Sequence, residues 1–287
     1  MSQAKKLRKM LAEPGIIRAP GAYDAWSARL IEKAGFPAVY MTGYGLSASL
    51  IGRPDIGLLS LTEMAGEGKN IAAAVDIPVI ADADNGYGGL LNVVRTVQEY
   101  ERAGLAAIQL EDQVTPKRCG HMEGKQIIPK EEMAAKIRAA CYARKDPDTV
   151  LIARTDARAV IDFDEALARA ALYAEAGADV IFVEAPQSVE ELQTIANTIH
   201  KPLLANMVEH GKTPMLTGKE LETIGFKIVI YPVTALYTVT QAMMTMLKKV
   251  KQDDTSKHDT EHMVEFPDFN ELIGLPAIRE LERSFMK

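Results

Sequence analysis

Cysteine is scarce in this sequence, and long apolar runs are lacking. The 287 residues contain two cysteines, Cys119 and Cys141. Two thiols cannot build a disulfide scaffold, and such sparse use of cysteine is typical of the reducing cytoplasm. No apolar stretch reaches the roughly 18 residues that a membrane-spanning helix needs. The sequence therefore excludes small disulfide-rich folds, and it predicts a cytoplasmic protein that does not interact with a membrane.

Clusters of basic residues are lacking as well. The chain has 33 Lys and Arg against 39 Asp and Glu, a net charge of −6, and no run of Lys and Arg that would supply a basic face. A nucleic-acid-binding protein needs a positive face, so we expect no nucleic-acid partner. Residues 1–15 are basic but lack the apolar core of a secretion signal, which predicts an amphipathic first helix. The hydrophobic content of 47% is that of an ordinary globular protein.

A repeated pattern predicts the fold. In four segments a helical stretch ends at a glycine and a short apolar run follows, with the glycines at Gly35, Gly104, Gly177 and Gly225. Glycine favours the left-handed conformation that ends a helix, and short apolar runs fit strands buried on both faces. Four further apolar runs lie between these segments, at residues 15–19, 78–82, 150–154 and 202–206. Eight alternating units predict a (β/α)8 barrel, and a doubly wound open sheet is the alternative.

The C-terminal part of the chain follows the eighth unit. Residues 234–251 form a Met-rich helical pattern, and the polar stretch 252–260 is interpreted as a linker. Segment 261–287 contains several large apolar residues, which need a surface to pack on. We therefore predict one barrel domain over 1–287, whose C-terminal extension, 252–287, packs on its own barrel or on a neighbouring subunit.

Acidic residues gather where the predicted strands end. Asp82 and Asp84 end strand 3, and Glu111 ends strand 4. Barrel enzymes place their chemistry at this rim, and carboxylates that converge there repel each other unless a cation offsets their charge. Oxygen ligands favour Mg²⁺, with Mn²⁺ as a second possibility. The sequence thus predicts a divalent metal site, and the alternative is a set of solvated strand ends.

A loop of about 16 residues follows strand 4, and loops of this length inside compact barrels are usually functional. It contains Cys119 beside Lys117, Arg118 and His121. Neighbouring cations stabilise a thiolate and lower the pKa of a thiol. We therefore interpret Cys119 as a reactive thiol, while the alternative is an incidental cysteine in a surface loop.

Several short sequences resemble one known family. They are KRCGH (117–121), DAD (82–84), EDQ (111–113), ARTDA (153–157), VEA (183–185) and ANM (205–207). Together they resemble the isocitrate lyase and phosphoenolpyruvate mutase superfamily, from about residue 15 to 285. The resemblance implies a (β/α)8 barrel, a homotetramer and a last helix that swaps between subunits. It also implies Mg²⁺ at four acidic residues, Asp55, Asp82, Asp84 and Glu111.

The same resemblance implies a site and a reaction. Cys119 marks the lyase branch, whose members cleave a 2-hydroxy-dicarboxylate to pyruvate and a second carboxylic acid. The catalytic residues implied are Cys119 as general acid, His121, Arg154 and Tyr40, which would polarise the hydroxyl. The residues implied in substrate binding are Thr42, Gly43, Tyr44, Gly120, Glu184, Asn206, Pro232 and Tyr237. The identity of the general base stays open.

Three substrate classes remain open within the lyase branch. The chain looks most like the 2,3-dimethylmalate lyase and petal-death group, with 2-alkylmalates cleaved to pyruvate and an acid such as propionate. Methylisocitrate lyases, which yield succinate, carry Arg at the positions of Met122 and Tyr237, although Lys125, His210 or Lys212 could replace those charges. Oxaloacetate hydrolases tend to carry Ser at the position of Pro232. A non-catalytic dicarboxylate-binding barrel is the alternative from another functional class.

Overall fold

The computed structural model describes residues 1–120 and 122–286, which form two compact units, Met1–Leu236 and Tyr237–Lys287. The first unit contains eight strands, β1 to β8, over Ile17–Ala22, Val39–Met41, Val79–Asp82, Ala107–Glu111, Val150–Thr155, Val180–Val183, Leu204–Asn206 and Ile228–Tyr231. The thirteen α-helices described, α1 to α13, are Gln3–Ala12, Ala25–Lys33, Gly43–Ile51, Leu61–Ala74, Leu90–Arg102, Lys130–Ala143, Ala157–Val160, Phe163–Glu175, Val189–Thr198, Gly218–Ile224, Thr234–Asp253, Phe266–Leu272 and Leu275–Phe285.

The strands form one parallel sheet that closes on itself. Consecutive strands pair from β1 to β6 and from β7 to β8, and β1 also pairs with β8, with Ile17 opposite Ile228. A single parallel bridge between Ile181 and Leu203 joins β6 to β7. A doubly wound sheet reverses its strand order, and this sheet has no reversal. The predicted (β/α)8 barrel is therefore confirmed.

Two apolar layers hold the barrel together. Side chains alternate along a strand, so Tyr40 of β2 points into the barrel, while its neighbours Val39 and Met41 face the helices. The interior cluster includes Phe182 of β6 and also Leu7 of α1. Lys6 and Arg8 of α1 bond to backbone carbonyls just before β3 and β5. Helix α1 therefore covers the N-terminal end of the barrel, and the C-terminal rim is left for chemistry.

The predicted helix-ending glycines are confirmed, because Gly35, Gly104, Gly177 and Gly225 all have φ between 83° and 120°. The first strand lies further along the chain than the predicted 15–19. Gly15 has a φ of 95°, which a strand does not accommodate, whereas Pro20 and Gly21 both pair with neighbouring strands. The predicted linker 252–260 was also wrong at its ends, since helix α11 continues through Asp253 and a 3-10 turn begins at Thr260.

The second unit contains the C-terminal extension. Ile278, Leu281 and Phe285 are spaced three and four residues apart, so they share one face of α13, and all three are exposed. Phe266 of α12 is exposed as well. Helix swapping between subunits stays a prediction. Across the described residues, no helix combines the length and the apolar character needed to cross a membrane.

Candidate active site

The C-terminal rim gathers charged side chains from four consecutive strands. Asp82 ends β3, Glu111 ends β4, Arg154 lies near the end of β5 and Glu184 directly follows β6. All four are buried. The parallel register places Glu111 opposite Arg154. Since parallel strands all run in one direction, residues far apart in the sequence meet at one end of the barrel.

Arg154 is the central cation of this rim. Its Nε and Nη2 donate to the two carboxylate oxygens of Asp156, each at 3.0 Å. Its guanidinium also lies 3.3 Å from Glu111 and 3.5 Å from Glu184, and it stacks over Phe182 at 5.2 Å from the ring centroid. Burial alone would lower the pKa of Arg154, but the surrounding carboxylates reverse this and raise it. The guanidinium therefore stays charged and partly neutralises the acids around it.

A second cation, Lys117, lies between two of the proposed metal-binding acids. Its Nζ is 2.6 Å from Asp55 Oδ1 and 2.7 Å from Asp84 Oδ1, and its side chain is buried. Burial raises the pKa of Asp84 to about 7, even though Lys117 acts to lower it. Asp84 also has a positive φ of 47°, a strained conformation that is typical of functional sites. The ammonium of Lys117 is directed to these two carboxylates, and its predicted effect on the pKa of Cys119 stays a prediction.

The acids of this rim provide the right donor atoms for Mg²⁺. Asp55, Asp82, Asp84 and Glu111 are all buried, and burial raises the pKa of Glu111. In the part of the chain that the structure describes, Glu111 Oε1 has no hydrogen-bond partner, and no group of three or more Asp, Glu, His or Cys side chains is arranged to hold a metal ion. Mg²⁺ retains several waters and commonly uses one or two carboxylates, so an open oxygen site fits it.

The helix after β2 begins directly against these acids. Thr42 caps helix α3, its Oγ1 accepting from the amide of Gly45 at 3.3 Å, and Gly43 and Tyr44 form the first turn. A Cβ at Gly43 would lie 2.6 Å from Asp82 Oδ2, so only glycine allows this approach. Amides in the first turn of a helix have no partner within the helix and bind anions. The start of α3 is therefore a suitable place for a substrate carboxylate.

The loop after β4, described over residues 112–120 and 122–129, lies over the rim; we call it the β4 loop. Its two ends are held together, since the amide of Val114 donates to Gln126 and the amide of Ile128 donates to Asp112. The side chain of Gln113 bonds to the amide and carbonyl of Arg118. This closed base brings the tip of the loop, with Lys117 and Cys119, onto the rim.

Cys119 and Gly120 lie at the tip of the β4 loop. The amide of Cys119 donates to the carbonyl of Asp55 at 3.1 Å, and its side chain is half-buried. A Cβ at Gly120 would overlap the guanidinium of Arg154 and would lie 2.9 Å from the carboxyl carbon of Glu184. The structure therefore brings Cys119, Arg154 and Glu184 into one site.

Tyr40 reaches the site from inside the barrel. Its hydroxyl donates to Gln109 Oε1 at 3.3 Å, and Gln109 Nε2 donates to Asp82 Oδ1 at 3.5 Å. Burial, together with the charge of Asp82, raises the pKa of Tyr40 well above its usual value. Its phenol is therefore protonated at neutral pH and can act as a hydrogen-bond donor.

The remaining predicted positions differ in how the structure places them. Asn206 Nδ2 lies 3.3 and 3.4 Å from the carboxylate oxygens of Glu184, so Asn206 belongs to the rim. Pro232 is buried directly after β8, with its carbonyl against Gly21. Tyr237 begins the second unit. His121 lies outside the described residues, and its catalytic role stays a prediction.

Comparison with known proteins agrees with this architecture. Residues 7–251 match the family described as phosphoenolpyruvate phosphomutase. The chain is 52% identical to 2,3-dimethylmalate lyase of Eubacterium barkeri over 99% of both proteins. The chain belongs to the phosphoenolpyruvate phosphomutase family. It is also 43% identical to 2-methylisocitrate lyase of Halalkalibacterium halodurans, over 99% of this chain and 94% of that protein.

Solved structures of this family share the fold. A crystal structure of 2,3-dimethylmalate lyase, described as a PEP mutase/isocitrate lyase superfamily member, superimposes with a TM-score of 0.94 and 39% identity. The match covers 99% of this chain and 95% of that one. A phosphonopyruvate hydrolase complex with oxalate and Mg²⁺ superimposes with a TM-score of 0.90 and 31% identity over the whole of both chains. The relatives that are 52% and 43% identical to this chain are both named lyases, so this chain belongs to a family of enzymes.

Two residues that contribute to the site, Asp156 and Gln109, receive no role from the sequence alone. Asp156 is the main partner of Arg154, and Gln109 links Tyr40 to Asp82. The signal for Asp156 was available, because residues i and i+2 at a strand end face the same side. Gln109 lies within an apolar run that predicts a buried strand. A polar side chain in a buried strand needs a hydrogen-bond partner, and this was the signal for its role.

Proposed function

We propose that this protein is a Mg²⁺-dependent carbon–carbon lyase. Its proposed substrate is a 2-hydroxy-dicarboxylate, 2,3-dimethylmalate or a similar 2-alkylmalate, and its products are pyruvate and a carboxylic acid, propionate for 2,3-dimethylmalate. The observation that carries this proposal is the 52% identity to a 2,3-dimethylmalate lyase over 99% of both chains. The rim supports it, because buried acids, Arg154 and a half-buried thiol lie together there.

Asp55, Asp82, Asp84 and Glu111 would hold Mg²⁺ directly or through water, with Mn²⁺ as a substitute. The bound cation supplies Lewis-acid polarisation of the substrate hydroxyl and its neighbouring carboxylate. The positive charge also offsets the mutual repulsion of the four acids. Lys117 already neutralises part of that charge through Asp55 and Asp84.

The side chains of the rim would carry the remaining steps. Arg154 and the first turn of α3 bind the carboxylate of the pyruvate half. A general base, whose identity stays open, takes the C2 hydroxyl proton. The carbonyl of pyruvate then forms, and the electron pair of the C2–C3 bond moves onto the other fragment. That fragment is an enediolate, and Cys119 donates a proton to its carbon. The neutral phenol of Tyr40 orients the hydroxyl, while Asn206 and His121 stabilise the developing charge.

Charge pairing around the loop tip supports a dicarboxylate as substrate. Lys125 is buried and paired with Asp156 at 2.7 Å, so its charge is already used within the protein. Lys212 pairs with Glu123 at 3.0 Å, and Met122 carries no charge. Of the three side chains that could replace the missing Arg charges, only His210 is left without a carboxylate pairing described above. A third substrate carboxylate would therefore have little cationic charge to pair with, and a buried unpaired charge is strongly unfavourable.

The first prediction concerns substrate choice. We expect kcat/KM for 2,3-dimethylmalate to exceed that for 2-methylisocitrate by at least about tenfold, because a missing charge contact discriminates sharply. Discrimination against 2-methylmalate, which lacks one methyl group, is expected to stay within about 10–200-fold. Met122→Arg should reduce the ratio of kcat/KM for 2,3-dimethylmalate to kcat/KM for 2-methylisocitrate. The measurement is pyruvate release from each substrate on one preparation, with a chelator-treated sample as the control.

The same assay distinguishes the alternatives. A tenfold or greater preference for 2-methylisocitrate would replace this proposal with a methylisocitrate lyase that releases succinate. Cleavage of oxaloacetate alone, measured in parallel as release of oxalate rather than pyruvate, would identify an oxaloacetate hydrolase. If every candidate substrate binds and none is converted, the protein is a non-catalytic dicarboxylate-binding barrel.

We also propose a homotetramer in which the C-terminal extension, 252–287, packs on a neighbouring subunit. The exposed apolar face of α13 supports this proposal, because exposed apolar patches typically mark protein contacts. Deleting residues 261–287 is therefore expected to give smaller assemblies in light scattering than the full chain at the same concentration. A deletion variant that remains an active tetramer would show that the segment is dispensable.

A further inference from the structure

Lys125 is a buried cation for which the proposed chemistry has no role. Its side chain is 2% exposed. Its Nζ lies 2.7 Å from Asp156 Oδ1 and also donates to the backbone carbonyl of Gly120. Gly120 directly follows Cys119, whereas Asp156 lies on the barrel just after β5. A single ammonium group therefore joins the tip of the β4 loop to the barrel rim.

Asp156 connects this contact to the central arginine. Its two carboxylate oxygens accept both bonds from Arg154, and its amide donates to Asp112 Oδ1 at 2.9 Å. Gly120 in turn packs directly on the guanidinium of Arg154. The contacts form a closed ring from Gly120 to Lys125, Asp156, Arg154 and back to Gly120. Two members of this ring belong to the loop and two to the barrel, so the ring is complete only when the loop is closed.

The charges explain what this ring does. The guanidinium of Arg154 faces three carboxylates, those of Asp156, Glu111 and Glu184. One positive charge cannot balance three negative ones in a buried site. Loop closure brings the charge of Lys125 to Asp156, which then no longer depends on Arg154 alone. Both cations meet on Asp156 where Cys119 lies over the site, so the position of the loop tip and the orientation of Arg154 are linked.

We propose that Lys125 is a positioning residue that couples closure of the β4 loop over Cys119 to the orientation of Arg154, through Asp156. The kinetic part of this inference rests on the proposed function, whereas the position of the loop can be measured without turnover. If Lys125 only stabilised the fold, replacing it would lower the melting temperature but would leave kcat and the position of the β4 loop unchanged.

The test replaces Lys125 with methionine, which keeps the length of the side chain and removes its charge. We expect kcat to fall by about 10²-fold, the effect of misplacing reacting groups by about 1 Å, with a much smaller change in KM. The melting temperature should also fall, because Asp156 loses one of its two buried cationic partners, so kcat and the position of the loop decide the role of Lys125. If Asp156 transmits the effect, Lys125→Met combined with Asp156→Asn should be no more impaired than the worse of the two single variants.

Alkylation of Cys119 measures loop closure directly. In a Cys141→Ser background, iodoacetamide reacts with Cys119 as the one remaining thiol, and mass spectrometry gives the rate. Oxalate with Mg²⁺, which the structurally similar phosphonopyruvate hydrolase binds, is the probe that fills the site. In the parent, we expect oxalate and Mg²⁺ to slow the alkylation of Cys119. In Lys125→Met, this slowing should be about tenfold weaker, which is the effect of one lost hydrogen bond to a charged group.

Lys130→Met is the matched control. Lys130 lies just beyond the same loop, and its Nζ forms an ion pair with Glu165 Oε2 at 3.4 Å, so this variant also removes a lysine charge and an ion pair. It should match the parent in kcat and in protection. Protection of Cys119 in Lys125→Met equal to that in the parent, or a kcat within about threefold of the parent, overturns the inference. A parent that cleaves no dicarboxylate would contradict the proposed function, and the alkylation result would still decide the role of Lys125.

Discussion

Replacing Cys119 with serine is expected to lower kcat by about 10²-fold or more, the usual contribution of a general acid. A thiol has a reference pKa of about 8.5 and can deliver a proton near neutral pH, whereas an alcohol is a far weaker acid. Serine is nearly the same size, so the backbone bond from residue 119 to Asp55 should persist. Substrate should therefore still bind, with KM much less affected than kcat.

Cys141→Ser provides the control for this substitution. Cys141 lies in helix α6, where its sulfur is 3.5 Å from the carbonyl of Gly177, and burial raises its pKa. It is packed against the outer side of the barrel, and its replacement should leave kcat nearly unchanged. Comparable losses in the two variants would remove Cys119 from the mechanism.

Removal of the divalent metal is expected to abolish turnover. Buried carboxylates crowd the rim, and Lys117 and Arg154 only partly offset their charge. EDTA should stop pyruvate release, and an excess of Mg²⁺ or Mn²⁺ should restore it. Asp82→Ala should remain inactive at metal concentrations that saturate the parent, because it removes a proposed ligand.

Asp76→Ala is the matched control for the metal prediction. Asp76 is exposed and precedes the same strand, β3, at the opposite end of the barrel. It should keep both the activity and the metal dependence of the parent. Full activity in the presence of excess EDTA would exclude a metal from the reaction, and rescue of Asp82→Ala by ordinary metal levels would exclude Asp82 as a ligand.

The sequence predicted most of the barrel, and the reasons are local. Gly104 and Gly177 end helices in left-handed conformations, which few other residues tolerate, so their positions mark where strands begin. The acids and Arg154 were placed on one rim because parallel strands all present the same end there. The pairing of Lys117 with Asp55 was beyond this reasoning. These residues are 62 positions apart, and their contact depends on how two irregular loops fold over the rim.

The bonds that hold the base of the β4 loop together have an evolutionary consequence. Val114 and Gln126 form a narrow stem, so the tip between them contributes little to the sheet or the helical layer. Substitutions at the tip can therefore alter which molecules are accepted without unfolding the scaffold. An ancestral barrel of this kind could give rise to enzymes of different specificity by changing about a dozen residues, while the inherited fold stays intact.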